Sequence, residues 1–176
     1  MVTVSAILAP DATAIVEPTT ALVDCGMGED DTCAVYPESG PPQLVLVRER
    51  TVTNLPEGFS QVLSRTLMTD GPPDGSGPAS RVHNAVTGMT FALDTPASCL
   101  AVGTDWLSCR ADDSLPATVY TASGGRTEFR DIAAVPDATE PGDAPYYWAT
   151  QGRYRGFVDA AGRWLYRESR YTTLED

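Results

Sequence analysis

The chain has 176 residues, long enough for one sizeable hydrophobic core, and carries 12 basic against 24 acidic side chains, a formal net charge of −12. Such a surface disfavours nucleic acid and anionic membranes as partners, because phosphate contacts need clustered cations. Every basic residue is Arg, which removes Schiff-base and P-loop lysine chemistry, and no apolar run approaches the roughly 18–20 residues of a membrane-spanning helix.

The charge is uneven. Residues 144–176 hold five Arg against four acids, whereas residues 1–143 hold seven Arg against twenty. The opening residues, MVTVSAILAPDATAIVEP, lack the positive n-region and compact apolar core of a signal peptide. They carry β-branched runs at Val2–Leu8, Ala12–Glu17 and Ala21–Cys25, separated by Pro10 and Pro18, and read as short strands or an extended arm over about residues 1–20. Gln43–Thr53 reads as one strand. Pro56–Met68 reads as a helix: Pro56 suits the first helical position, Phe59, Val62, Leu63 and Leu67 fall on one stripe, and Gly71 follows the end.

Asp70–Pro78 is rich in Pro, Gly and Asp and is expected to be a mobile loop that adds nothing to the core. Arg81–Val86 and Thr90–Asp94 are expected as strands around a Thr87-Gly88 turn, and Val119–Ile132 as a hairpin over Ser123-Gly124-Gly125. Residues 136–145, PDATEPGDAP, read as a linker. Many short strands, frequent turn residues and one short helix (about 56–68) predict a mainly β, antiparallel sandwich or barrel-like fold, a single domain over 1–176.

The four cysteines form two local pairs. Cys99 and Cys109 are symmetrical about Thr104, and a Gly103-Thr104-Asp105 turn would set them opposite each other; Cys25 and Cys33 are symmetrical about Glu29. Of the three connectivities that four cysteines allow, local bridging is the one expected, with four buried thiols as the alternative. Neither pair has the C-x₂₋₄-C spacing of a zinc site. Bridges would place maturation in an oxidising compartment.

The chain ends in its most aromatic stretch, with eight of the fourteen aromatic residues in 146–171. Asp159-Ala160-Ala161-Gly162 has the residues of a turn, with Asp to cap its start and Gly for a positive φ at its end. A three-residue loop would oppose Arg155 to Arg167. A four-residue loop instead pairs Phe157 with Trp164, Arg155 with Tyr166 and Arg153 with Glu168, and is the register expected. The other face then carries Tyr154, Val158, Leu165 and Tyr171, so the hairpin is apolar on both sides. Tyr154, Arg155, Phe157, Trp164 and Tyr166 are the candidate core or interface residues.

Catalytic patterns are sparse. His83 is the single histidine, with Ser80 nearby but no G-x-S-x-G elbow. Glu49, Glu128 and Asp131 are the carboxylates best placed for acid–base work, with cross-strand ion pairing as the plainer role. The acidic groups Glu29-Asp30-Asp31, Asp70 with Asp74, and Asp137 with Glu140 and Asp143 lack calcium-loop spacing. The sequence therefore leads to a non-enzymatic structural or protein-interaction module, extracytoplasmic (secreted or cell-surface) or virion-associated. It is expected to assemble with other protein subunits, copies of itself included, without cofactor, metal, nucleic acid or membrane insertion. The alternative is a small β-barrel that binds or transforms an apolar small molecule in a pocket lined by Trp106, Trp148 and Trp164.

Overall fold

Short β-branched runs broken by Gly and Pro make strands that pair with their sequence neighbours. The computed structural model describes residues 5–25, 31–135 and 146–169. Among these residues the chain is all β, with antiparallel sheets and no helix. It clusters into two compact units that divide between Ser98 and Cys99.

In the first unit, β1 (Ser5–Leu8) and β2 (Ala14–Thr19) form a hairpin. A four-stranded meander follows, in the order β3 (Leu22–Cys25), β4 (Thr32–Tyr36), β5 (Gln43–Leu46), β6 (Thr51–Asn54). β4 is buried along its whole length, because its alternate residues face two different clusters. Cys33 and Val35, with Val45, pack with Ile7 and Ala21. Ala34 and Tyr36, with Leu44, pack with Leu55, Phe59, Val62 and Met68. The stretch expected as an N-terminal arm is, from Ser5 onward, a hairpin whose Ile7 sits in a core; residues 1–4 lie outside the described residues.

Two expected elements are replaced. Gln43–Thr53 is not one strand but the β5–β6 hairpin, with Leu44 opposite Thr53 and Val45 opposite Val52. Its turn is the charged Arg48-Glu49-Arg50, where Arg50 takes φ 55°. Each turn side chain has a partner: Arg48 with Asp31, Glu49 with Arg65, Arg50 with Asp11.

The helix expected over 56–68 is absent. Gly58 takes φ +80°, outside any right-handed helix. The Ser64 hydroxyl accepts the backbone N–H groups of Thr66 and Leu67, each at 3.2 Å, closing a tight turn between β7 (Gln61–Val62) and β8 (Leu67–Thr69). A serine that bonds backbone amides locally competes with helix, and here it wins. The apolar stripe is real, since Phe59, Val62 and Leu67 are all buried, but Val62 and Leu67 lie on two strands and Phe59 on the loop before them.

β9 (Ala79–Asn84) and β10 (Thr90–Val102) flank the expected turn at Thr87-Gly88, with Gly88 at φ +69°. The loop before β9 is not the free excursion its composition suggests. One Asp70 carboxylate oxygen accepts the N–H groups of Ser80 (2.7 Å) and Arg81 (2.9 Å), and the other meets Arg81 Nε at 3.0 Å. Gly71 is buried and its carbonyl accepts Ser60 Oγ at 2.7 Å. The exposed run is Pro73–Ser76.

β10 begins in the first unit and ends in the second, where it pairs with β11 (Trp106–Arg110), which pairs with β12 (Thr118–Thr121). The Ser123-Gly124-Gly125 turn forms, with Thr121 N–H donating to Gly125 O at 2.8 Å. Past it, however, Ile132 belongs to β13 (Asp131–Ala134), which pairs with β14 (Tyr146–Gln151) and not with β12. β15 (Tyr154–Asp159) and β16 (Trp164–Ser169) complete a second meander. Its core surrounds Trp106, 1% exposed, whose indole meets Phe129 and Tyr147 edge-on at 5.8 and 6.1 Å. Val119, Ile132, Ala149 and Val158 fill the rest. The linker read over 136–145 lies outside the described residues.

Both disulfides form as expected. Cys25 stands directly opposite Cys33 across β3 and β4, and Cys99 joins Cys109 across β10 and β11; in each the Cα atoms are 4.1 Å apart. No described cysteine is free.

Candidate interaction surface on the C-terminal sheet

The sheet β13–β16 has one face in the core and one face out, as strand alternation requires. Tyr147 and Ala149 of β14 and Val158 of β15 point inward. Tyr146 and Trp148, which alternate with them, point outward, as does Phe157, which stands directly opposite Trp148. The Phe157 ring meets Trp148 at 5.1 Å, Tyr146 at 5.7 Å and Tyr166 at 6.4 Å. Three strands thus contribute to one aromatic strip in which Tyr146, Trp148 and Phe157 are half-buried and Tyr166 is 54% exposed.

The register that builds this strip is neither of the two considered from sequence. The turn is the shorter one, with Asp159 N–H donating to Arg163 O at 3.0 Å and Val158 opposite Trp164. One residue further, Leu165 is left unpaired as a bulge, and Phe157 then faces Tyr166. The shift carries Arg155 past Arg167 and onto Glu168, where the ion pair closes at 2.6 Å. The bulge removes the like-charge contact that made the shorter loop look unfavourable.

Two glycines permit this arrangement. A Cβ on Gly156 would sit 2.8 Å from Arg167 Cα and closer still to the Tyr166 carbonyl oxygen, so the β16 backbone occupies the space of a side chain. Gly162, at φ +77°, closes the turn against the core: a Cβ there would lie 3.0 Å from Trp106 Cη2. Asp159 caps the same turn, accepting the N–H groups of Ala161 (3.0 Å) and Arg163 (2.9 Å).

The five residues singled out from sequence divide between the faces. Arg155, Phe157 and Tyr166 come together on the outer strip. Trp164 lies on the inner face, half-buried with its ring 5.8 Å from Phe129. Tyr154 opposes Gln151 next to the β14–β15 turn. Tyr171 is outside the described residues. Tyr146 and Trp148 join the strip only through the hairpin turn Gln151-Gly152-Arg153-Tyr154, which the sequence reading lacks. Its signal is a two-residue loop with Gly first, here at φ +57°.

The other candidates are occupied separately. His83 Nδ1 pairs with Thr90 Oγ1 at 2.9 Å and its ring stacks at a tilt on Phe59. Glu49 pairs with Arg65 in the first unit; in the second, Glu128 accepts Gln151 Nε2 at 2.7 Å, and Asp131 stands opposite Thr150. Asp74 caps Ser76, and Asp31 lies 3.7 Å from Arg48. Glu29, Asp30, Asp137, Glu140 and Asp143 are outside the described residues. Among the described residues no three His, Cys, Asp or Glu side chains gather as a metal site requires. Trp106 and Trp164 share Phe129, while Trp148 is on the opposite face of the sheet, so the three tryptophans do not line one pocket.

One inner-face group is strongly perturbed. The Tyr147 hydroxyl donates to Asp105 Oδ2 at 2.6 Å, and burial, then the Asp105 carboxylate, hold it protonated well above its ordinary value. Its role is to tie β14 to the turn after β10. Comparison with protein-family models, curated proteins and solved structures finds no match to this chain.

Proposed function

We propose that this protein is a non-enzymatic subunit of a larger protein assembly, joined to copies of itself through the aromatic strip Tyr146, Trp148, Phe157 and Tyr166. That strip is the observation that carries the reading. Aromatic side chains offer large apolar area for few lost rotamers and are enriched at the centres of interfaces. Around it stand both signs of charge, Arg155 with Glu168 on one side and Asp131 at the β13 edge. A two-fold contact needs a self-complementary patch, and a strip bordered by both charges meets that need. The two disulfides support maturation in an oxidising setting, whether at a cell surface, in secretion or in a virion.

Sedimentation equilibrium across a wide concentration range tests the reading. The protein is expected to exceed the monomer mass, and Trp148→Ser with Tyr166→Ser to return it to monomer with its circular dichroism retained. A monomeric parent, or a double variant that assembles as the parent does, refutes it.

A further inference from the structure

With two acids for every arginine, this chain can supply a carboxylate to each guanidinium, and among the described residues Arg48, Arg50, Arg65, Arg81, Arg155 and Arg163 are paired in this way. Among the described residues Arg110 is not, nor are Arg130, Arg153 and Arg167. The last three line one open groove of about 450 Å³ in the second unit, with Tyr154, Gln151 and Glu128. They reach it from separate elements. Arg130 precedes β13, held by its N–H donating to Thr150 O at 2.8 Å. Arg153 is in the β14–β15 turn. Arg167 on β16 stands opposite Gly156.

Tyr154 gathers two of these cations without neutralising them. Arg167 Cζ is 4.8 Å and Arg153 Cζ 5.4 Å from its ring centroid, and Arg153 donates to its hydroxyl at 3.3 Å. The Arg153 hydrogen bond and the positive charge of both arginines draw the phenol below its ordinary value. Glu128, the one carboxylate lining the groove, is engaged by the neutral Gln151 amide.

We infer that this groove binds a short acidic peptide segment, its adjacent carboxylates held by Arg130, Arg153 and Arg167. Guanidinium forks match carboxylates in a bidentate way. Glu128 and Gln151, bonded to each other, keep a further carboxylate lone pair and a second amide N–H that a peptide backbone can use. With guanidinium groups already over the Tyr154 ring, that face is poorly placed to stack a sugar or a base. The net charge of −12 repels a long polyanion at range, so a short segment is favoured. The site lies apart from the aromatic strip and does not depend on self-assembly.

Isothermal titration of the full chain with an N-acetylated tetra-aspartate peptide is the test, with tetra-asparagine, inorganic phosphate and a uronate oligosaccharide as comparisons. The aspartate peptide is expected to bind in a salt-dependent manner and the asparagine peptide not at all. Arg153→Gln and Arg167→Gln are each expected to weaken binding about tenfold, while Arg163→Gln, whose partner is Asp159, leaves it unchanged. If Arg167→Gln fails to fold, Arg130→Gln carries the same expectation. No peptide binding, equal binding of the asparagine peptide, arginine variants that bind as the parent does, or tighter binding of phosphate or the uronate overturns the inference.

Discussion

Gly156→Ala is the smallest change that should do the most damage to the C-terminal sheet. The added methyl would lie 2.8 Å from Arg167 Cα and 2.9 Å from the Tyr166 carbonyl carbon, and overlap the Tyr166 oxygen. All three are backbone atoms, so no rotamer change relieves the contact, and β16 must move away from β15. Overpacking of this kind costs up to about 3 kcal/mol. Loss of the Arg155–Glu168 and Phe157–Tyr166 pairs adds a few tenths of a kcal/mol to about 1 kcal/mol each. For a unit of this size, 3 kcal/mol corresponds to a fall in Tm of roughly 12–24 °C.

Gly152→Ala is the control. It has φ +57° and open space around its Cβ position, so only the conformational term of about 1 kcal/mol applies. Thermal unfolding followed by near-ultraviolet circular dichroism reads both variants. Gly156→Ala melting within roughly 2–3 °C of the parent, equivalent to less than about 1 kcal/mol, or no lower than Gly152→Ala, would refute the close-approach argument.

Reduction of the disulfides, each closing a short hairpin, should cost about 3 kcal/mol or less per bridge in the chain-entropy picture; peptide mapping without reductant should recover Cys25 with Cys33 and Cys99 with Cys109. Tyr147→Phe removes a hydrogen bond to a carboxylate and should destabilise by about 1.5 kcal/mol in chemical denaturation, with the aromatic strip unaffected. Stability should fall as pH drops from about 4 towards 2. Asp11 is held at about 2, against an ordinary 3.8, by the hydrogen bonds of Arg50 and Thr13. At Asp70, burial raises the value, but the Arg81 and Ser80 N–H groups outweigh it and leave it lowered. Because these folded-state values are depressed, the unfolded chain takes up protons first, and the contribution present above the ordinary value is lost on acidification. Asp70→Asn should flatten that limb of a Tm-against-pH curve.

The sequence made the all-β class legible through its turn residues and β-branched runs, and the disulfides through the symmetry of each Cys pair. Periodicity misled at Pro56–Met68, because a stripe at helical spacing also fits two short strands around a turn, and the deciding bonds come from one serine hydroxyl. The Leu165 bulge was invisible for a related reason. A choice between uniform ladders omits the bulge, in which one unpaired residue lets the turn satisfy its own geometry and the strand its own charges. Gly156 held the clue, since a glycine inside an aromatic strand marks close backbone approach. Asp70 belongs by composition to its loop, although its carboxylate bonds a strand ten residues on. The groove arginines were present in the sequence, but only the fold distinguishes an arginine with a carboxylate beside it from one without.

Hydroxyl-radical footprinting at low and high protein concentration tests the assembly account most directly. Trp148 and Tyr166 should lose reactivity as concentration rises, whereas Leu100 and Val86, 72% and 76% exposed, should label equally at both, and Trp106 should stay unreactive throughout. Trp148 and Tyr166 labelling at the same rate in both conditions, in a sample whose mass shows association, would place the contact elsewhere and contradict the account.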